Sequence, residues 1–146
     1  MDAVIPVVID LTSKVNGNNG DETTQNRVKG TLVEKGPSVY IRYHEKLEEH
    51  EDAVRNVLKI GEDDVTIIRN GGVSMHQRFQ EGKKTEGSYR TPFGTMRMET
   101  ATKQFDYEWK SDEGRGEIVL VYELVLQGRD LGRVTLTFSI READET

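Results

Sequence analysis

The sequence predicts an all-β fold, a sandwich or a barrel. Two observations carry this. Residues alternate with period two along several segments, as side chains do on a half-buried strand. Glycine and Asn or Asp cluster where the alternation breaks, at regular intervals. The 146 residues fit one domain, read over 1–146, long enough to bury a real core.

The clearest strand sets Val134, Leu136, Phe138 and Ile140 against Arg133, Thr135, Thr137, Ser139 and Arg141. Before it, Ile118, Leu120, Tyr122, Leu124 and Leu126 alternate with Val119, Val121, Glu123, Val125 and Gln127. That second face is partly apolar, so this strand is expected to be covered on both sides. Gln127-Gly128-Arg129-Asp130-Leu131-Gly132 links the two as a hairpin. Upstream, Phe105, Tyr107 and Trp109 alternate with charged residues, and Met96 and Met98 with Arg97 and Glu99. Val39, Ile41 and Tyr43 form another inward set, as do Val7, Ile9 and Leu11. The polar tail 142–146 is expected to fray.

Two segments need a decision. Residues 44–60 are rich in helix formers, and Leu47, Val54 and Leu58 suit a helix. The alternative is a strand through Leu47, a turn over 48–53, and a strand through Val54, Asn56, Leu58 and Ile60. The strand reading is taken. At Asn70-Gly71-Gly72, a three-residue loop pairs Arg69 with Val73 and Ile67 with Met75. It puts Val65, Ile67, Val73, Met75 and Phe79 on one face and carries Arg69 onto that face. A one-residue slip would reverse one strand against the other.

The composition narrows function. With 20 basic and 26 acidic residues the formal charge is −6. Nucleic acid and anionic membranes call for a basic footprint, so neither is expected as a partner. There is no cysteine, which excludes disulfides, thiol catalysis and cysteine-bound metal, and is consistent with a cytoplasmic home. No apolar run is long enough for a membrane helix, and no cleaved secretory signal is expected.

The stretches Ile67-Ile68-Arg69-Asn70-Gly71-Gly72-Val73 and Tyr89-Arg90-Thr91-Pro92-Phe93-Gly94-Thr95-Met96 appear together with a closing hairpin from Gly116 through Ile140. In this the chain resembles the small bacterial YwiB-like family, a domain of unknown function, over most of its length. The resemblance implies an antiparallel closed β-barrel of the calycin or lipocalin type, with about eight to ten strands. It supports the strand reading of 54–60. It implies no activity, since fold alone does not transfer function.

Sites of chemistry are sparse. His44, His50 and His76 form no metal-binding pattern, so no metal or other cofactor is expected. Ser74 and His76 share one strand face, which looks outward in the chosen register and makes no triad. Acidic pairs such as Asp63-Asp64 fall in turns. Arg69, Arg78, Lys83, Lys84, Arg90 and Arg97, with Phe79, Tyr89 and Phe93 between them, read as ordinary strand exteriors rather than a base-stacking surface.

What remains is the barrel interior. Met75, Met96, Met98, Phe105, Tyr107, Tyr122 and Phe138 would share it, as a filled core or around one ligand. Arg69 is its most informative charge, because an inward guanidinium must have its donors satisfied. It either stacks on Trp109 or bonds carbonyls at the barrel end, or it anchors the carboxylate or phosphate of a ligand with help from Tyr89 or Tyr122. The leading expectation is a non-enzymatic barrel holding a small amphipathic or anionic ligand. Arg69, Tyr89, Tyr122, Met75, Met96, Met98 and Tyr107 are its candidate ligand-binding residues. The alternative is an interaction or self-association module, such as a homodimer, with a filled core.

Overall fold

The computed structural model describes residues 3–17, 20–46 and 53–143. Ten strands follow in chain order: β1 (Val4–Gly17), β2 (Gly20–Lys35), β3 (Ser38–Lys46), β4 (Ala53–Ile60), β5 (Asp64–Asn70), β6 (Ser74–Gln80), β7 (Lys84–Thr91), β8 (Gly94–Lys110), β9 (Arg115–Leu126) and β10 (Arg129–Glu142). Each pairs antiparallel with its neighbours in sequence. β1 also pairs with β10, from Val7↔Glu142 to Asn16↔Arg133, and so closes the sheet into a ten-stranded barrel. No helix occurs among the described residues.

The alternation read from the sequence is the pleat of this sheet. Val134, Phe138 and Ile140 are buried, and so are Ile118, Leu120 and Tyr122 beside them on β9. Ile9, Leu32, Ile41, Leu58 and Phe79 reach 0% exposure. The rings of Phe79 on β6 and Tyr122 on β9 meet across the interior, with centroids 4.7 Å apart and planes tilted by 48°. Side chains from non-neighbouring strands thus touch in the middle, and the centre of the barrel is packed rather than hollow.

The 44–60 segment is strand where it is described. β3 continues to Lys46, and β4 pairs with it from Lys46↔Ala53 to Val39↔Ile60. Ala53, expected in the turn, therefore belongs to β4. Leu47 and the rest of the expected turn lie outside the described residues.

Three expectations are corrected. The β5–β6 register is Arg69↔Met75 and Ile67↔Gln77, two residues from the one read at Asn70-Gly71-Gly72. A slip of two preserves the faces, because side chains repeat every second residue, so Arg69 still points inward. The outer face of β9 is not covered: Val119, Val121 and Val125 stay half-exposed on the barrel wall. The expected tail is tied at its first two residues, and 144–146 lie outside the described residues. The Glu142 amide donates to Gly114 O at 2.7 Å and the Ala143 amide to Pro6 O at 2.9 Å.

The β9–β10 turn is two residues long, Gln127 and Gly128, with φ of 54° and 76°. Left-handed φ at both positions matches the twist of the flanking strands. Gln127 bears the cost of a side chain there. It is held because its amide donates to Arg97 O at 2.9 Å and its Oε1 accepts from the Arg97 amide at 2.8 Å.

One stretch of wall is closed by side chains. The β6–β7 ladder has only three pairs, from Ser74↔Arg90 to His76↔Ser88. Beyond it, the fully buried Gln77 spans the gap. Its Nε2 donates to Arg78 O at 2.8 Å and lies 2.9 Å from Thr85 Oγ1 and 3.1 Å from Thr100 Oγ1. Gly87 makes room for it: a Cβ there would come within 2.2 Å of Gln77 Oε1 and 2.4 Å of His76 O. The second contact is backbone and cannot swing away. Gly87→Ala is therefore expected to destabilise the protein by about 1–3 kcal/mol, the usual cost of overpacking. Ser88→Ala on the exposed side of the same strand should leave it within about 0.5 kcal/mol. Paired denaturant melts check the contrast.

Candidate functional site

The inward-facing residues form rows around the barrel, fixed by strand register. One row runs Tyr43↔Asn56↔Arg69↔Met75↔Tyr89↔Met96, across β3 to β8. It brings together four of the candidates, Arg69, Met75, Tyr89 and Met96, at the end of the barrel that carries the β5–β6, β7–β8 and β9–β10 turns. Met98 lies one position deeper and is 4% exposed, part of the packed core.

Arg69 anchors this end. Its Nε donates to Asn56 Oδ1 at 3.0 Å, and an NH2 group lies 3.8 Å from a Glu45 carboxylate oxygen. The Arg69 and Glu45 side chains keep 22% and 17% of their exposure, so the pair is sheltered but reachable from the barrel end. Asn56 is buried, and its own Nδ2 donates to Val54 O at 3.3 Å. Tyr43 and Tyr122 are close enough to feel the Arg69 charge. Burial pushes both phenols well above the ordinary tyrosine range, Glu45 pushes Tyr43 further the same way, and Arg69 pulls both partly back. Met75, Tyr89, Met96, Leu124 and Leu126 are half-exposed at this end, where the rows below them are shut. The β7–β8 turn on the same rim carries Phe93, wholly exposed at 100%, with its amide bonded to Thr91 Oγ1 at 3.1 Å.

The proposed stacking of Arg69 on Trp109 is not found. Trp109 opposes Gly116 beside the β8–β9 turn, at the other end of the barrel. The carbonyl alternative is met in one bond: the acceptor is the side-chain carbonyl oxygen of Asn56 at the barrel end, with the Glu45 carboxylate as a longer ion-pair contact. Tyr107 is likewise remote from Arg69. It opposes Ile118, and its hydroxyl is buried without a partner among the described residues, as is Trp109 Nε1. Burial, then the Glu34 charge, push the Tyr107 phenol up to about 12.

Asn56, Glu45 and Tyr43 were missed as site residues, although a signal existed. Asn56 interrupts the apolar set Val54, Leu58 and Ile60, and Glu45 follows Val39, Ile41 and Tyr43 in phase. The basic and aromatic run between 69 and 97 splits between the two faces. Arg69, Phe79 and Tyr89 point inward, while Arg78, Arg90 and Arg97 point outward. Ser74 and His76 lie on the outer wall, as read. No group of three or more His, Asp or Glu residues able to hold a metal occurs among the described residues. Among the described residues no helix is long and apolar enough to cross a membrane.

A family model for a domain of unknown function, DUF1934, matches residues 9–138. The chain belongs to that family. It is 29% identical over 136 residues to the uncharacterized β-barrel protein YwiB of Bacillus subtilis (strain 168), covering 91% of this chain and 92% of that protein. The crystal structure of the ywiB protein from Bacillus subtilis matches with a TM-score of 0.84 at 25% identity, over 97% of this chain and 94% of the other. The family and the ten-strand barrel therefore stand as expected from the sequence, and the family description assigns no activity.

Tyr43, Tyr107 and Tyr122 give a pH test. Their folded-state pKa values are raised, so their contribution to stability is whole below the unfolded value of about 10 and is lost as pH rises above it. The unfolded chain ionises there while the folded chain holds its protons. Stability should be flat from neutrality to about pH 9 and fall above about pH 10. Ultraviolet titration should show Tyr107 ionising near 12, and Tyr43 and Tyr122 only as the fold opens.

Proposed function

We propose that this protein is a non-enzymatic, calycin-like binding protein of the cell interior that holds a small amphipathic molecule at the Arg69 end of the barrel. One observation carries the reading. An arginine sits on the inward face with, among the described residues, one side-chain hydrogen bond and one long ion-pair contact, under a rim of half-exposed apolar side chains. A guanidinium has five donors, and unspent donors above a packed core suit an acceptor head group. Met75 and Met96 adapt to varied apolar shapes and would line the tail, with the Tyr89 ring between them. Because Phe79 and Tyr122 fill the middle, the ligand is held at the barrel mouth rather than swallowed. Glu45 beside Arg69 favours a head group that both accepts and donates, such as a protonated acid, an amide or a zwitterion, over a bare anion.

A second reading has one observation of its own. Val119 and Val121, with Val125 beyond the ion-paired Glu123, are half-exposed on the outer wall of β9, which supports self-association through that wall.

Arg69→Met and the double change Arg69→Met with Glu45→Gln separate a binding role from a purely structural one. The single change strands Glu45 and Asn56, and is expected to cost about 1–3 kcal/mol. The double change should recover most of that, because no unpaired charge remains. Binding of a fluorescent fatty amide or lysolipid should fall about tenfold or more in both variants. Wild-type affinity in the rescued double variant, with no small molecule retained by freshly purified protein in native mass spectrometry, would overturn the reading.

A further inference from the structure

The outer wall carries a second polar cluster, bordered on one side by Arg69 and Met75 of the interior row. A depression of about 330 Å³ lies over the only ladder joining β6 to β7. Ser74, His76, Ser88 and Arg90 line it, with Asn70 and Thr95 at its ends. Register builds it: Ser74 opposes Arg90, His76 opposes Ser88, and Arg90 opposes Thr95. Two small serines set diagonally between two large basic side chains leave the hollow.

Its chemistry is one-sided. Hydroxyls, an amide, an imidazole and a guanidinium face the space beside the apolar Ile68, and no carboxylate lines it. Its outward arginine neighbours are already engaged, Arg78 by Asp64 at 2.7 Å and Arg97 by Glu86 and Glu99. Among the described residues Arg90 is paired with no carboxylate. The same outward row continues through Asn70 and Arg55 to His44, again without an acidic residue. In a chain with 26 acidic and 20 basic residues, a stretch of wall cleared of carboxylates is a local reversal of the overall charge. Ser88 and His76 oppose each other, but nothing acidic orients the imidazole, so the arrangement suits binding rather than nucleophilic chemistry.

We propose that this depression between β6 and β7 is a phosphoryl-group site, with Arg90 as its charged anchor and Ser74, Ser88 and His76 as further donors. A planar guanidinium takes two phosphate oxygens at once, and hydroxyls at fixed strand spacing take the others. The phosphate could be that of a small phosphorylated compound or one link of a nucleic-acid backbone; the recognition chemistry is the same.

The test uses the full chain, isotopically labelled, followed by amide and side-chain NMR. Inorganic phosphate, phenyl phosphate and a short oligothymidylate are titrated separately. Saturable shifts confined to Ser74, His76, Ser88 and Arg90 are expected. Arg90→Ala should weaken binding about tenfold or more, and Ser88→Asp, which sets a carboxylate in the hollow, should abolish it. Both positions are exposed, and Arg129→Ala serves as a control that changes nothing. Saturation by phenyl phosphate assigns a small ligand. Saturation by the oligonucleotide alone, still lost in Arg90→Ala, assigns a polymer backbone. Absence of saturable binding by all three, shifts scattered over the basic surface, or unchanged binding in Arg90→Ala and Ser88→Asp would overturn the proposal.

Discussion

Closure of the sheet is the constraint from which the rest follows. The β1–β10 ladder, from Val7↔Glu142 to Asn16↔Arg133, leaves no free sheet edge at either end of the chain. Once the ring is shut, every strand has one face that cannot reach bulk water except at the two barrel ends. Alternation then stops being a preference and becomes a sorting rule. An inward polar residue must find its partners on neighbouring strands of the same ring. Arg69, Asn56 and Glu45 meet on those terms: the register that buries Leu58 and Ile67 also sets Asn56 opposite Arg69.

The same rule explains the two places where the wall departs from a plain ladder. Between β6 and β7 the backbones part after His76 and Ser88, and Gln77, Thr85 and Thr100 supply the missing bonds from side chains. A Cβ at Gly87 would block that repair. Between β9 and β10 the two-residue turn holds Gln127 in the left-handed region and secures it against the Arg97 backbone. Both devices keep the ring closed with the same inward set, at the cost of one buried unpartnered oxygen on Gln77 and one strained residue.

Inside and outside are thereby uncoupled. The interior is packed across its middle and polar at one end, which limits any ligand to the mouth. The exterior carries the charge, and its pattern is uneven: Arg27, Arg78, Arg97 and Arg133 are matched with carboxylates, whereas the ladder over β6 and β7 is bordered by an arginine that none of the described carboxylates pairs. Family membership fixes the architecture that presents both surfaces and leaves their chemistry to be read from side chains.

The sequence by itself determined most of the strands, β2 and β7 excepted, with their faces and the inward direction of Arg69. Each rests on period-two alternation within one short segment, a local property that survived even a two-residue error in the β5–β6 register. It also placed Met75, Met96 and Tyr122 correctly inside, whereas Tyr89, read both among the strand exteriors and beside Arg69, is set inside by the register. Only the tertiary structure decided which inward residues meet. Trp109 and Tyr107 share a face with Arg69 but stand toward the opposite end, because position along the barrel axis depends on the register of all ten strands summed round the ring. Asn56 and Glu45 became the partners of Arg69 for the same reason. Contact between strands far apart in sequence is a product of closure, and no segment read alone contains it.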